Sequence, residues 1–309
     1  MSNFHKSVLL QEAIDGLRVE KNKKYIDATV GGGGHSFEIL RLGGEVLGID
    51  VDGEAIGFVQ GRWKIESRKW KIREENLTLV RGNFREIDKI ACLNNFNRVA
   101  GIIFDLGVSS HQIDSPTRGF SFQNKGPLDM RMDQELGVRA LDLIKVLTKG
   151  ELYEIFTKFG EESRAWKISD AIVRARSLKP IETTTDLAEV IEKAVGKRNA
   201  KSANARASAD KKIFQALRIV VNDELKSIMG ALPKALGLLE RNGRLCVISF
   251  HSLEDRIVKR EFIRYQKESM GKVITKPIIP TLKEIGKNKR SRSAKLRIFE
   301  RTHSANAQG

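Results

Sequence analysis

The stretch KYIDATVGGGGHS, residues 24–36, decides the fold. Its first half is β-branched and apolar, as a buried strand is, and it stops at four consecutive glycines. Helical spacing resumes from His35 to Leu42, and EVLGID (45–50) then reads as a second strand with an acidic end. LTLVRGN (77–83) and VAGIIFDLGV (99–108) supply a third and a fourth, both too apolar or β-branched for a surface position. Strands that alternate with helices predict a parallel sheet covered on both faces.

Between about 109 and 210 the strand signals vanish and helix signals take over. Thr148 and Glu151 have the spacing of a capping box, and Leu152, Ile155, Phe156 and Phe159 follow on one face. Two further helices carry Ile168 and Ile172, then Leu187, Val190 and Ile191. GKRNAKSANARASADKK (196–212) reads as a polar, basic, mobile loop. From Ile213 the α/β alternation returns, with one long helix through Phe214, Leu217, Val221 and Ile228. The strand RLCVISF (244–250), a helix over 253–267, a short strand at 272–276 and a last strand within 293–301 complete it. The expected fold class is α/β, a Rossmann-like, mostly parallel core interrupted by an all-helical domain. Its expected parts are 1–108, the insertion 109–210, and 211–309.

Lys and Arg number 55 against 39 Asp and Glu, a formal charge of +16 over 309 residues. Such an excess points to a polyanionic partner, with nucleic acid first. No apolar run approaches the roughly 18 residues of a membrane span. The start MSNFHKSVLLQEAIDGL lacks the basic region and long apolar core of a secretory signal, so the expected location is the cytosol, with no membrane partner. Cys92 and Cys246 are too few for a disulfide framework or a zinc site; both sit in runs that read as buried, and both are expected to be reduced packing residues. No metal is expected.

Ligands of open α/β sheets bind at the carboxyl ends of the strands, where the tetraglycine turn lies. Without Cβ atoms, Gly31 to Gly34 let the backbone approach a ligand closely. Asp50 ends the next strand, 23 positions after Asp27, where an acidic side chain accepts both hydroxyls of an adenosine ribose. The dinucleotide fingerprint wants glycine at its sixth place, which here is Ser36. Asp27 repels a pyrophosphate but suits a cationic amino group, such as that of S-adenosylmethionine. Its alternative is a turn or cap residue.

DLGVSSHQID (105–114) leaves Asp105 at the same edge, facing the transferred group. RGFSF (118–122) and GPLDMRMD (126–133) are loops dense in Arg, Phe, Asp and Gly. Phe120 and Phe122 suit stacking on an unpaired base, with Arg118 and Arg131 on phosphates, or else plug a core. SFHSLEDR (249–256) brings His251 to the edge as a proton acceptor or as scaffold. The tail NKRSRSAKLRIFER holds Lys287, Lys289, Arg290, Arg292, Lys295 and Arg297, which suit phosphate contacts. The missing G-x-S-x-G elbow argues against a Ser-His-Asp hydrolase.

These motifs resemble one family closely: the bacterial 16S ribosomal RNA (cytosine-N4)-methyltransferases of the MraW/RsmH type. The resemblance rests on HKSVLLQE (5–12), DATVGGGGHS (27–36), GIDVD (48–52), DLGVSSHQID, RGFSF, GPLDMRMD, FQALRIVVNDEL (214–225), SFHSLEDRIVK (249–259) and KRSRSAKLR (289–297). It implies a class I methyltransferase core with a helical substrate domain, the cofactor S-adenosyl-L-methionine, and ribosomal RNA or the small ribosomal subunit as partner. Cofactor contacts are implied at Gly33, Gly34, His35, Asp50, Phe84, Asp105 and Gln112. Asp105 and His251 are the candidate catalytic residues for methylating the 4-amino nitrogen of a cytidine. Two stretches depart from the family: SADKK (208–212) replaces His-Pro-Ala-Thr-Arg-Thr, and NKR (288–290) replaces Asn-Pro-Arg. An NAD-dependent oxidoreductase and a non-catalytic RNA-binding protein on the same shell are the rival readings; monomer and homodimer are both compatible with the sequence.

Overall fold

The computed structural model describes residues 7–196 and 200–302, with side chains throughout except over 200–207. The chain forms two compact units, one of residues up to Ser109 together with those from Leu225 onward, the other of Ser110–Glu224. The first opens with α1 (Leu10–Leu17), β1 (Lys24–Asp27), α2 (Gly34–Arg41), β2 (Glu45–Asp50), α3 (Gly53–Trp70), β3 (Leu77–Arg81), α4 (Ile87–Leu93) and β4 (Val99–Asp105). The second contains α5 (Ser110–Asp114), α6 (Ala140–Val146), α7 (Lys149–Lys158), α8 (Ala165–Leu178), α9 (Thr184–Val195) and α10 (Ala200–Val221). The chain then returns through α11 (Glu224–Leu238), β5 (Leu239–Ser249), α12 (Ser252–Lys267), β6 (Gly271–Val273), α13 (Leu282–Lys287) and β7 (Lys295–Arg301).

The seven strands lie in the order β3-β2-β1-β4-β5-β7-β6. β1 to β5 are parallel, and β7 runs antiparallel between β5 and β6. The order reverses between β1 and β4, so the crevice of this α/β sheet opens beside the end of β1. Side chains alternate across the sheet as the two-residue period requires. Ile26, Leu47, Ile102 and Leu245 enter one core, while Tyr25, Val46, Ile103 and Cys246 enter the other. Unit Ser110–Glu224 has its own core, built on Ile144, Leu152, Phe156, Ile168, Ile172, Leu187, Ile191 and Leu217. The capping box expected at Thr148 is present: its hydroxyl accepts from the Glu151 N–H, and the Glu151 carboxylate accepts from the Thr148 N–H. Among the described residues no helix is long and apolar enough to cross a membrane.

Four sequence expectations change. The stretch expected to be a loop over 196–212 is helical from Ala200, because alternating alanines without glycine or proline favour a helix. Residues 197–199 of that stretch, like His5 and Lys6 of HKSVLLQE, lie outside the described residues. The single long helix is two, broken at Asp223, whose φ is +48°. Beside the break the Asn222 amide donates to Met130 O and Arg218 O, and its Oδ1 accepts from the Met132 N–H. A core boundary at 211 therefore falls inside α10, which packs on α6, α7 and α9. Finally, Cys246 is buried but Cys92 is exposed: α4 turns Ile87 and Ala91 inward and leaves Cys92 on its outer side.

Candidate cofactor and active site

The site is assembled where β1, β2 and β4 end. Parallel pairing sets Asp27 opposite Gly48 and Ile103, so Asp27, Asp50 and Asp105 emerge at one edge of the sheet. The segment after β1 is stitched to both neighbours. Ala28 N–H donates to Ile103 O, Val30 N–H to Ile49 O, and Asp105 N–H to the Thr29 hydroxyl at 2.6 Å. Gly33 caps α2 with φ +78°, in the left-handed region that glycine enters without strain. At Gly34 the constraint is contact: a Cβ there would stand 2.0 Å from Ser7 Oγ.

Asp50 faces this turn. Its Oδ2 accepts from the Gly31 N–H at 2.8 Å and its Oδ1 from the Asp52 N–H at 2.9 Å. Burial pushes its carboxyl up to about 6, against the pull of those two N–H groups. Each oxygen retains a lone pair for a further donor. Asp27 is buried, with its Oδ2 accepting from the Ser36 hydroxyl at 2.7 Å and its Oδ1 from the Thr29 N–H at 3.2 Å. Burial raises its carboxyl as well, while His35 and these donors oppose the rise. Of the two roles open to Asp27, the structure favours the turn: it ties the loop to the start of α2. Ser36, the mismatch to the dinucleotide fingerprint, is its anchor.

His35 is buried, with Nδ1 3.8 Å from Asp105 Oδ2, and its Nε2 has no hydrogen-bond partner among the described residues. Phe84, in the short turn after β3, sets its ring edge-on to Phe104 at 5.5 Å. Gln112 falls on α5, in the other unit. Three carboxylates converge on the turn, and neither Asp27 nor Asp50 makes an ion pair among the described residues. Such a cradle fits a cationic ligand with a ribose diol and repels a pyrophosphate. The fit is to a sulfonium nucleoside, and the nicotinamide reading loses its phosphate seat.

His251 caps α12. Its Nδ1 accepts from the Glu254 N–H at 3.4 Å, its Nε2 stands 3.1 Å from Glu254 Oε1, and Glu254 Oε2 accepts from the Phe250 and His251 N–H groups. Both ring nitrogens therefore lie close to Glu254, an arrangement that suits the scaffold alternative, while Nε2 makes no hydrogen bond among the described residues. In the other unit, the candidate RNA-facing residues are structural. Arg118 is buried and donates to Arg131 O and Met132 O. Arg131 grips both Asp129 oxygens and donates to Gln134 O and Leu136 O. Phe122 packs edge-on to Phe214 at 5.3 Å, and Phe120 adjoins the same core.

Sequence reasoning missed Ser7, Thr29 and Asp52. Thr29 had a legible signal, a hydroxyl two places beyond a strand's acidic end; Ser7 had none, since only tertiary packing brings it to Gly34.

The MraW methylase family model matches residues 2–302. Three similar proteins are each named ribosomal RNA small subunit methyltransferase H. The one from Lachnospira eligens is 40% identical over 319 residues, covering 96% of this chain and 97% of its own. That from Coprothermobacter proteolyticus is 40% identical over 306 residues, covering 97% and 98%, and that from Thermomicrobium roseum is 41% identical over 320, covering 97% and 94%. With its glycine turn, its three edge carboxylates and a family match along nearly its whole length, the chain belongs to the MraW methylase family and is a methyltransferase.

Proposed function

We propose that this enzyme transfers a methyl group from S-adenosylmethionine to the exocyclic 4-amino nitrogen of a cytidine in small-subunit (16S) ribosomal RNA. The observation that carries the reading is the carboxylate cradle at the ends of β1, β2 and β4, in a chain of this family. When bound, S-adenosylmethionine supplies a sulfonium methyl carbon open to in-line attack. Asp50 accepts the ribose hydroxyls, Gly33 and Gly34 let the backbone close on the nucleoside, and His35 and Phe84 line the seat. Asp105 orients the amine and draws on its hydrogen, which localises a lone pair otherwise delocalised into the ring. Bound there, S-adenosylmethionine would supply the methyl carbon and its sulfur would take up the electrons of the C–S bond, while Asp105 would receive the proton lost from the amine and pass it to water. Holding both reactants in this geometry supplies most of the rate. His251 is a positioning residue that fixes the turn carrying Phe250.

The charge of +16 and the exposed Lys287, Lys289, Arg290 and Arg292 suit the phosphates of a structured RNA. Lys295 and Arg297 are tied to Asp255 at 3.2 and 2.7 Å, so fewer tail cations face outward than the sequence suggests. A ribosomal substrate places the reaction in the cytoplasm. The test is transfer of tritiated methyl from S-adenosylmethionine to small subunits purified from cells lacking this gene, with mass mapping of the modified nucleotide. Label in N4-methylcytidine is expected; its absence would overturn the proposal.

A further inference from the structure

Beyond the cofactor seat, a cavity of about 310 Å³ lies between the β5–α12 turn and the segment joining β6 to β7. Phe250, Ile279, Pro280 and Ile285 give it an apolar wall, Arg292 and Lys295 give it cations, and no carboxylate lines it. Ile279 remains 64% exposed and the nearby Leu282 88%, apolar surface that folding leaves to solvent. Lys295 is held in place by Asp255 at 3.2 Å, whereas Arg292 is exposed and makes no ion pair among the described residues. An apolar wall beside cations is complementary to a base with its phosphate.

Phe250 joins this cavity to the acceptor edge. A Cβ on Gly107, two residues beyond Asp105, would stand 3.7 Å from the Phe250 ring. The ring is thus a shared wall, with the β4 exit loop on one side and the cavity on the other. We infer that the cavity holds the nucleotide adjoining the target cytidine on the same RNA strand, with Phe250 as the partition between the two. The inference rests on the RNA reading above. It adds a second subsite, which keeps the target's neighbour unstacked while the target base occupies the transfer position.

The experiment compares Ile279→Ser, Arg292→Ala and Lys289→Ala, the last an exposed tail cation outside the cavity. Each is read twice: as KM and kcat for unmethylated small subunits, and as equilibrium binding to those subunits with S-adenosylhomocysteine present. Ile279→Ser and Arg292→Ala should each weaken subunit binding about tenfold, the scale of one lost base contact. Lys289→Ala should cost about twofold, with S-adenosylhomocysteine affinity unchanged in all three. Ile279→Ser carries no charge change, so its loss separates a base-binding wall from a diffuse basic field. Binding by Ile279→Ser within twofold of wild type, or equal losses at Lys289 and Arg292, would overturn the subsite. Displacement of a fluorescent mononucleotide by CMP or AMP, without effect of the variants on subunit binding, would assign the cavity to a free nucleotide and overturn the strand reading. Failure of the wild type to methylate RNA overturns the proposed function instead, and the binding arm still decides the cavity.

Discussion

Two polar, glycine-rich regions look alike in sequence and do opposite things: the edge from Asp27 to Asp52, and the loops from Arg118 to Asp133. In the loops Arg118 is answered by backbone carbonyls and Arg131 by carbonyls and the Asp129 carboxylate. Burial alone would push Asp129 up, but Arg131 holds its carboxyl below the ordinary range. At the sheet edge burial pushes Asp27 and Asp50 up, Asp50 to about 6, and among the described residues no guanidinium or ammonium pairs with them. A set of carboxylates held short of compensation is costly unless a cationic ligand completes it, and perturbed groups of this kind gather at functional sites. Composition identifies loops that carry charge; only the balance of that charge tells which loop waits for a ligand.

The contrast is broken most sharply at Asp105. Asp105→Ala should lower methyl transfer about 10²- to 10⁴-fold at saturating cofactor, the range expected for a lost proton acceptor. A rate near wild type in tritium transfer would remove Asp105 from the chemistry.

Next in size, Asp50→Asn should weaken S-adenosylhomocysteine binding roughly ten- to a hundredfold, since the amide loses the charge and replaces one accepting oxygen with a donor NH2. The same residue fixes a pH dependence. A carboxyl with its value raised to about 6 is protonated below that pH and then accepts poorly. Affinity should fall as pH drops through 6, up to about tenfold per unit, and calorimetry from pH 5 to 8 should find the profile flat in Asp50→Asn.

Arg118→Ala probes the other side of the comparison. It removes a buried guanidinium from two carbonyls and should destabilise the Ser110–Glu224 unit by about 2 kcal/mol in urea titration, with cofactor affinity unchanged. Loss of RNA affinity without loss of stability would return Arg118 to the substrate side. The smallest effect belongs to His251→Asn, which keeps a capping side chain. It should cost below about 1 kcal/mol of stability and leave the transfer rate within a few-fold. A drop of about a hundredfold with an altered pH–rate profile would reinstate His251 as a proton acceptor.

Much of the cofactor edge was legible from one stretch, because strand, glycine turn and helix are local signals and parallel pairing carries strand ends to a common edge. Asp50 and Asp105 were readable as strand-terminal carboxylates for the same reason. The roles of Arg118, Arg131 and His251 were not, since an arginine that grips a carbonyl and one that grips a phosphate have the same sequence signature. The helical run over 200–212 was hidden by its polarity, which a solvated helix and a loop share.

By itself, the order of residues determined the alternation of strands and helices, the interruption after β4 and the presence of acidic strand ends, since each depends on neighbours within a few positions. Tertiary structure alone decided that Ser7 meets Gly34, that Thr29 receives the Asp105 N–H, and that Arg131 neutralises Asp129 while Asp50 meets only backbone N–H groups among the described residues. Pairings of that kind depend on side-chain direction and on distance through space, which spacing along a chain does not encode.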